Sequence, residues 1–180
     1  MNTLELDAIL TRTMKKCNFI GVFACDQLPS ETTLSRPLAL VVNTDPSHRG
    51  GRHWLAIYID RNNTGSFFDS FGNPPERFSD TIVKFLRENC TMIRHQTLQL
   101  QSKCSAVCGQ YCIFFLNRMC KTNNFSKILA TFKENTHWND MRVCSFVKRL
   151  QPNVTCLTFS NNTCIQCSVS GEISHCNDVL

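Results

Sequence analysis

The first ninety residues show two patterns of apolar positions, and each pattern predicts its own kind of element. Asn2 and Glu5 stand three residues apart, as in a capping box, ahead of a series of apolar residues at helical spacing. The members of this series are Leu6, Ile9, Leu10, Met14 and Cys17. An amphipathic helix is therefore predicted at the start of the chain. Four short runs rich in β-branched and aromatic residues predict strands after it, at 19–24, 38–42, 53–59 and 66–68.

The remainder of the chain is predicted to be mostly helical. A helix is indicated after Pro74 and Pro75 by apolar residues at helical spacing, namely Phe78, Ile82, Phe85 and Leu86. Residues 91–101 alternate in polarity and predict a further strand, whereas 108–121 form an almost wholly apolar helix that should be buried. Two shorter helical patterns follow, at 126–133 and 139–150. The sequence thus predicts an α+β fold in which a central mixed β-sheet packs against helices.

Length and charge refine the domain organisation. The chain has 180 residues, of which 42% are hydrophobic and 18% charged, as expected for one domain with a buried core. Residues 151–180 contain no lysine or arginine and two acidic residues, so the net charge of +5 divides into +7 for residues 1–150 and −2 for the rest. We expect residues 1–150 to form the domain and residues 151–180 to be a cysteine-containing tail, part of that domain or weakly ordered.

The twelve cysteines would ordinarily suggest a disulfide framework, but the start of the chain opposes it. It carries acidic residues and no apolar signal segment, and no apolar run is long enough to span a membrane. We therefore expect a reducing, intracellular setting in which most cysteines are thiols that fill the core. Cys164, Cys167, His175 and Cys176 suggest zinc, but the last two are neighbours and fit one tetrahedral ion poorly, so no metal is expected.

One set of residues offers the parts that a cysteine nucleophile needs: a base, a group that orients the base, and donors for an oxyanion. Cys108 begins the apolar helix, where the helix dipole and unpaired N–H groups favour a thiolate. His53 starts one predicted strand and Asp69 ends the next, so adjacent strands would place imidazole and carboxylate side by side. Gln101 ends the strand predicted before Cys108 and could supply an oxyanion donor beside the Cys108 backbone N–H.

In the order and residue types of these segments, the chain resembles the adenovirus-type cysteine proteases, the adenain family. This family belongs to the clan that includes the ubiquitin-like (SUMO) proteases. The likeness runs from about residue 19 to residue 152. It rests on Val-Asn-Thr at 42–44, Gly-Gly-Arg-His-Trp at 50–54, Phe-Phe-Asp-Ser-Phe-Gly at 67–72, and Gln101 before Cys108-Gly109. The resemblance implies that Cys108 is the nucleophile, His53 the general base and later acid, Asp69 the orienting acid and Gln101 the oxyanion donor.

The resemblance also implies substrates, activators and a setting. Members of the family cleave viral precursor proteins at glycine-containing motifs, so virus maturation in the host nucleus and virion is expected. They are stimulated by a short basic viral peptide attached through a disulfide and by DNA. Cys90 lies eighteen residues before Cys108, where the peptide-accepting cysteine would fall; the alternative is a thiol that simply packs at a helix end. The net charge of +7 on residues 1–150 suits contact with DNA phosphates, although a solvated basic surface explains this charge equally well.

Two other functions stay open at this point. A deubiquitinase or SUMO-type isopeptidase would use the same chemistry on substrates that end in glycine. A non-catalytic module of the same fold, binding nucleic acid or metal, would keep the architecture without turnover.

Overall fold

The computed structural model describes residues 1–29 and 35–151. Nearly all of the predicted tail, with its four cysteines and the zinc alternative, lies outside this part of the chain. Among the described residues, no helix is both long and apolar enough to cross a membrane.

A five-stranded mixed sheet forms the centre of the fold. Its strands stand in chain order: β1 (Asn18–Ala24), β2 (Leu38–Asn43), β3 (Trp54–Ile59), β4 (Thr64–Phe68) and β5 (Met92–His95). The inner pairs β2–β3 and β3–β4 are antiparallel, and the outer pairs β1–β2 and β4–β5 are parallel. The predicted α+β fold with a central mixed sheet is confirmed.

Helices cover both faces of this sheet. They are α1 (Thr3–Thr13), α2 (Asp80–Asn89), α3 (Cys108–Thr122), α4 (Phe125–Leu129) and α5 (Thr136–Leu150), with a 3₁₀ turn at Pro75–Arg77. The capping box at the start of α1 is present, because Asn2 Oδ1 accepts from Glu5 N and Glu5 Oε2 accepts from Asn2 N, both at 2.9 Å. Helices α1, α3 and α5 share one apolar core against the sheet, and α2 packs in a second core on the other face.

The alternation of side chains along the strands explains these two cores. In β2, Ala39 and Val41 join the core that contains α3, whereas Leu38 and Leu40 join the core that contains α2. All four are fully buried. Because both faces of β2 are covered, its sequence is a continuous apolar run and does not alternate. Helix α3 lies against β3 on one side and α5 on the other, which accounts for its apolar surface.

The strand predicted over residues 91–101 is wrong beyond His95. Strand β5 pairs with β4 only as far as Phe67 opposite His95, because β4 itself ends at Phe68. The chain then turns away, and Leu98 is 66% exposed. The alternating pattern therefore extends past the last residue of β4 with which β5 could pair. Residues 96–107 form the loop that leads to α3.

Two cysteines that we expected to be thiols are joined. Cys17, just after α1, forms a disulfide with Cys120 in the last turn of α3, across a sequence separation of 103 residues. Their Cα atoms are 5.7 Å apart, within the usual range for a disulfide. The other six cysteines of the described chain are outside disulfides, so the expectation holds for most but not for this pair.

Candidate active site

The pairing of β3 with β4 brings His53 and Asp69 together. These strands run antiparallel, with Ala56 opposite Phe68, so the residue before β3 lies beside the residue after β4. His53 Nε2 is 2.6 Å from Asp69 Oδ1. The ring of Phe71 lies against the imidazole, with centroids 5.2 Å apart, and shields this contact on one side.

Asp69 is fixed from several directions as an anion. Its side chain is fully buried and accepts hydrogen bonds from the Phe71 N–H at 3.1 Å, the Asn73 N–H at 2.9 Å and the Asn73 side-chain amide at 2.8 Å. Burial alone would raise the pKa of this carboxyl, but the hydrogen bond and charge of His53 and the backbone donors lower it below its ordinary value. The carboxylate is thus charged and rigidly held beside the imidazole.

Cys108 stands on the other side of His53. Because Nε2 of His53 contacts Asp69, Nδ1 is the ring nitrogen left for the hydrogen bond between His53 and the thiol. Burial would raise the pKa of the Cys108 thiol, but the hydrogen bond and charge of His53, with the backbone N–H groups of Trp54 and Gly109, lower it. The sulfur therefore sits where a thiolate is favoured.

The same contacts act on the imidazole in the opposite direction. Burial would lower the pKa of His53, but hydrogen bonds to Asp69 and Cys108 and the negative charges of both partners raise it to about 9. Since the pKa of the thiol falls while that of the imidazole rises, the two groups are stabilised together as a thiolate–imidazolium pair. Such a pair is the resting form of an activated cysteine nucleophile.

Gln101 lies in the loop before α3 and not at a strand end. Its side chain is buried; Oε1 accepts from the Ser70 hydroxyl at 2.7 Å, and Nε2 donates to the Ser105 carbonyl at 2.7 Å. The Gln101 backbone N–H also donates to the Ser70 carbonyl at 3.0 Å. The Ser105 carbonyl can only accept, so it fixes which end of the amide is the donor, and the second hydrogen of the NH₂ group stays available for another acceptor.

A buried polar cluster under the loop escaped the sequence analysis. The Tyr111 hydroxyl is 2.8 Å from the Leu100 carbonyl oxygen and 2.9 Å from the Asp140 carboxyl, and Asn139 Nδ2 donates to the same carbonyl at 3.1 Å. These side chains of α3 and α5 hold the loop one residue before Gln101. Their only signal was a tyrosine within an apolar helix and an Asn-Asp pair on the next one.

The second glycine of the Gly-Gly pair ahead of His53 has a steric cause. Gly51 adopts φ +77°, and a Cβ there would come within 2.6 Å of the Asn43 side-chain nitrogen. Two residues on, the His53 carbonyl accepts from the Thr44 N–H at 2.9 Å. A glycine at 51 lets this turn close against β2 and deliver His53 to its position.

Cys90 lies away from these residues, at the end of α2. Its sulfur is packed against Gly65 of β4, where an added Cβ would come within 2.5 Å of it. Burial raises the pKa of the Cys90 thiol to about 11, with a further rise from the charge of Asp60 and a decrease from that of Arg36. This half-buried thiol is consequently far less ionised than Cys108 at neutral pH.

Metal ligation receives no support from the described part of the chain. Within residues 1–29 and 35–151, no three His, Cys, Asp or Glu side chains come together as a ligand set. The zinc alternative involved Cys164, Cys167, His175 and Cys176, which lie outside those residues.

The site contains a thiol, an imidazole and a carboxylate in one line of contacts, and the thiol lies at a helix N-terminus. This arrangement defines a site of the cysteine-protease class. Comparison with known proteins specifies the family: residues 19–136 match the sequence model of the adenovirus endoprotease. The chain belongs to the adenovirus endoprotease family. The proposed site residues His53, Asp69, Gln101 and Cys108 all fall within the matched segment.

Individual relatives are similar over the same part of the chain. The protease of ovine adenovirus D serotype 7 is 26% identical over 129 residues, covering 62% of this chain and 61% of that protein. The protease of human adenovirus B serotype 3 is 30% identical over 126 residues, covering 63% and 59%. The chain thus matches about three fifths of the length of these curated relatives.

A solved structure supports the fold alone. The central domain of the uncharacterized Lpg1148 protein from Legionella pneumophila has a TM-score of 0.51 and 13% sequence identity, over 85% of this chain and 98% of that domain.

Proposed function

We propose that this chain is a cysteine endopeptidase in which Cys108 is the nucleophile. The observation that carries the proposal is the line of contacts from Asp69 through His53 to Cys108, with the opposite pKa shifts of His53 and Cys108. Membership of the adenovirus endoprotease family supports the same reaction.

The reaction would proceed through a thioester. The Cys108 thiolate attacks the scissile carbonyl carbon, and the carbonyl π electrons move to oxygen, which becomes an oxyanion. His53, protonated on Nδ1, gives its proton to the leaving amine as the C–N bond breaks. His53 then removes a proton from water, the resulting hydroxide attacks the thioester, and the acid product leaves as the Cys108 thiolate and the His53 imidazolium are restored.

Two donors are available for the oxyanion. Cys108 is the first residue of α3, so its backbone N–H has no acceptor within the helix. The Gln101 amide, with its donor end fixed by the Ser105 carbonyl and its oxygen held by Ser70, would supply the second. Gln101 is therefore proposed for the role that the family resemblance implies, although it stands in a loop.

We expect Ser70→Ala to lower kcat about tenfold with little change in KM, because the Gln101 amide loses one of the two hydrogen bonds that hold its side chain while the substrate keeps its ground-state contacts. Steady-state kinetics on a fluorogenic peptide measures this. Ser66→Ala is the matched control, since Ser66 is another buried serine, on β4, whose hydroxyl bonds to Arg94 and not to Gln101.

Rescue separates orientation from simple packing. Ser70→Thr retains the hydroxyl and should recover most of the lost kcat. Equal activity of Ser70→Ala and the parent protein would contradict the orienting role of Ser70.

The substrate class is proposed from the family. Viral precursor proteins cut at glycine-containing motifs would be the substrates, in a virus or virus-derived element, with maturation in the host nucleus and virion. A deubiquitinase or SUMO-type isopeptidase would instead prefer conjugates of ubiquitin-like proteins, and a non-catalytic module would cleave neither. Parallel assays on glycine-containing peptides and on such conjugates distinguish the three.

The experiment that tests the proposed function labels the protein with a glycine-based thiol-reactive probe and maps the modified residue by mass spectrometry. We expect one modified cysteine, Cys108, and a large loss of labelling in His53→Ala, because the thiolate loses its counterion. Labelling spread over several cysteines, or unaffected by His53→Ala, would overturn the assignment.

Two activators are proposed with the enzyme. A short basic peptide would attach by a disulfide to Cys90, which lies two residues before β5, the last strand at one edge of the sheet among the described residues. DNA would bind residues 1–150, whose net charge is +7, without sequence preference. DNA stimulation should disappear as salt is added, and a rate indifferent to both DNA and salt would exclude it.

The raised pKa of Cys90 makes peptide attachment dependent on pH. The thiolate is the attacking form and the thiol pKa is about 11, so the initial rate should rise nearly tenfold per pH unit between about pH 7 and 9. Intact-mass spectrometry after adding a basic peptide activated as a mixed disulfide measures this rate. Cys90→Ala should remove both adduct and activation, whereas Cys104→Ala should retain both; activation of Cys90→Ala would exclude the attachment.

A further inference from the structure

The contact between α3 and α5 contains a second concave site, whose lining does not include Cys108 or His53. Its cavity of about 370 Å³ falls in the size range of small-molecule pockets. One face of α5 supplies most of the lining, because Trp138, Arg142 and Arg149 recur at helical spacing, and α3 adds Arg118. We call this the basic pocket; its charged lining is Arg118, Arg142 and Arg149 and its aromatic lining is Phe114, Trp138 and Phe146.

The arginines of the basic pocket form no ion pair within residues 1–29 and 35–151. None of the residues that line it is acidic. The ion pairs among the described residues are Arg52–Asp45, His53–Asp69 and Lys84–Glu88, and none of them involves this pocket. Burial and the charge of Arg118 lower the pKa of Arg142, so the two guanidinium groups repel each other across the pocket.

Aromatic rings hold these guanidinium groups in place. Arg118 lies 5.4 Å and Arg142 5.6 Å from the centre of the Phe114 ring, and Arg142 lies 5.2 Å from the centre of Trp138. Nε of Arg142 is buried and has no hydrogen-bond partner among the residues described. Ring contacts orient a guanidinium without consuming its N–H donors, so the donors remain for a ligand.

We infer that the basic pocket is a binding site for a compact, multiply phosphorylated anion. Planar guanidinium forks match phosphate oxygens with two parallel hydrogen bonds, and a polyphosphate carries enough negative charge to offset three arginines. The concave shape favours a small molecule over an extended chain. The site is independent of the Cys108 chemistry.

Trp138 provides a direct readout of binding. The chain has two tryptophans, so Trp54→Phe leaves Trp138 as the sole emitter, in contact with Arg142. In this background, tripolyphosphate should change the Trp138 emission saturably with a Kd at or below about 0.1 mM. Sodium sulfate at matched ionic strength should give a much weaker effect.

Substitutions then locate the site. Arg142→Gln and Arg149→Gln should each weaken tripolyphosphate binding about tenfold or more, because each removes a charged donor. Lys148→Gln removes the same charge from an exposed residue of α5 outside the lining and should leave the Kd within about twofold. Arg149 is exposed, so its variant tests the site even if Arg142→Gln fails to fold.

Three results would overturn the inference. The first is no saturable signal with tripolyphosphate. The second is equal weakening by Lys148→Gln and the two pocket variants, which would show a diffuse charge effect. The third is saturation by a short single-stranded oligonucleotide alone, without competition from tripolyphosphate, which would assign the surface to an extended nucleic-acid chain.

Discussion

Replacing Cys108 by alanine should reduce kcat/KM by four orders of magnitude or more, roughly the cost of removing a covalent nucleophile from a site whose other parts remain. The thiol is the only group in the site that can form the thioester, and His53 and Asp69 cannot replace it. Measurement of kcat/KM on a glycine-containing peptide tests this result. Active-site titration gives the concentration of active parent enzyme for the comparison.

The neighbouring thiol provides a matched control for that loss. Cys112 lies one helical turn after Cys108 and is buried in the apolar core between α3 and the sheet, where burial raises its pKa well above the ordinary value. Cys112→Ala should therefore lower stability but leave kcat/KM within a few-fold of the parent. Near-normal turnover by Cys108→Ala, or a comparable loss in Cys112→Ala, would show that Cys108 is not the nucleophile.

The thiolate–imidazolium pair predicts a bell-shaped dependence of kcat/KM on pH. Activity should fall at low pH as the thiolate of Cys108 takes up a proton, and at high pH as His53 loses its proton near its pKa of about 9. Asp69→Asn removes one of the two anions that raise the pKa of His53, so the alkaline limb should move to lower pH by about one unit or more.

Asp69→Asn should also lower the maximum of that profile about a hundredfold or more, since the imidazole is no longer held in one orientation. If Asp69 acted only in folding, Asp69→Asn would reduce the amount of active protein and leave the shape of the pH profile unchanged. An alkaline limb at the same pH in Asp69→Asn and the parent would therefore contradict the electrostatic role of Asp69. Asn73→Ala is a useful comparison, because it removes one neutral donor to Asp69 and keeps the carboxylate.

The sequence predicted the elements whose pattern is local. Strands β2, β3 and β4 follow from apolar runs whose side chains enter both cores, and α3 follows from an almost wholly apolar segment that the structure buries. The meeting of His53 with Asp69 was also foreseeable, since adjacent antiparallel strands bring the start of one beside the end of the other. Their roles in catalysis stay predictions until the variants are measured.

What the sequence could not predict depends on partners far apart in the chain. Ser70 bonds to Gln101 across 31 residues and Asn139 bonds to Leu100 across 39, and neither pairing leaves a periodic signal. The end of β5 was missed because it is set by the length of β4 and not by its own residues. The basic pocket depends likewise on how α3 and α5 pack, since its arginines are scattered among other charges in the sequence.

The bond between Cys17 and Cys120 has a consequence for handling the enzyme. It closes a ring of chain that contains all four proposed site residues. A ring of about 100 residues restricts the unfolded chain enough to be worth roughly 4–5 kcal/mol in the chain-entropy account. The reductant that keeps Cys108 reactive in an assay also opens this ring, so full activity and greatest resistance to heat call for opposite redox conditions.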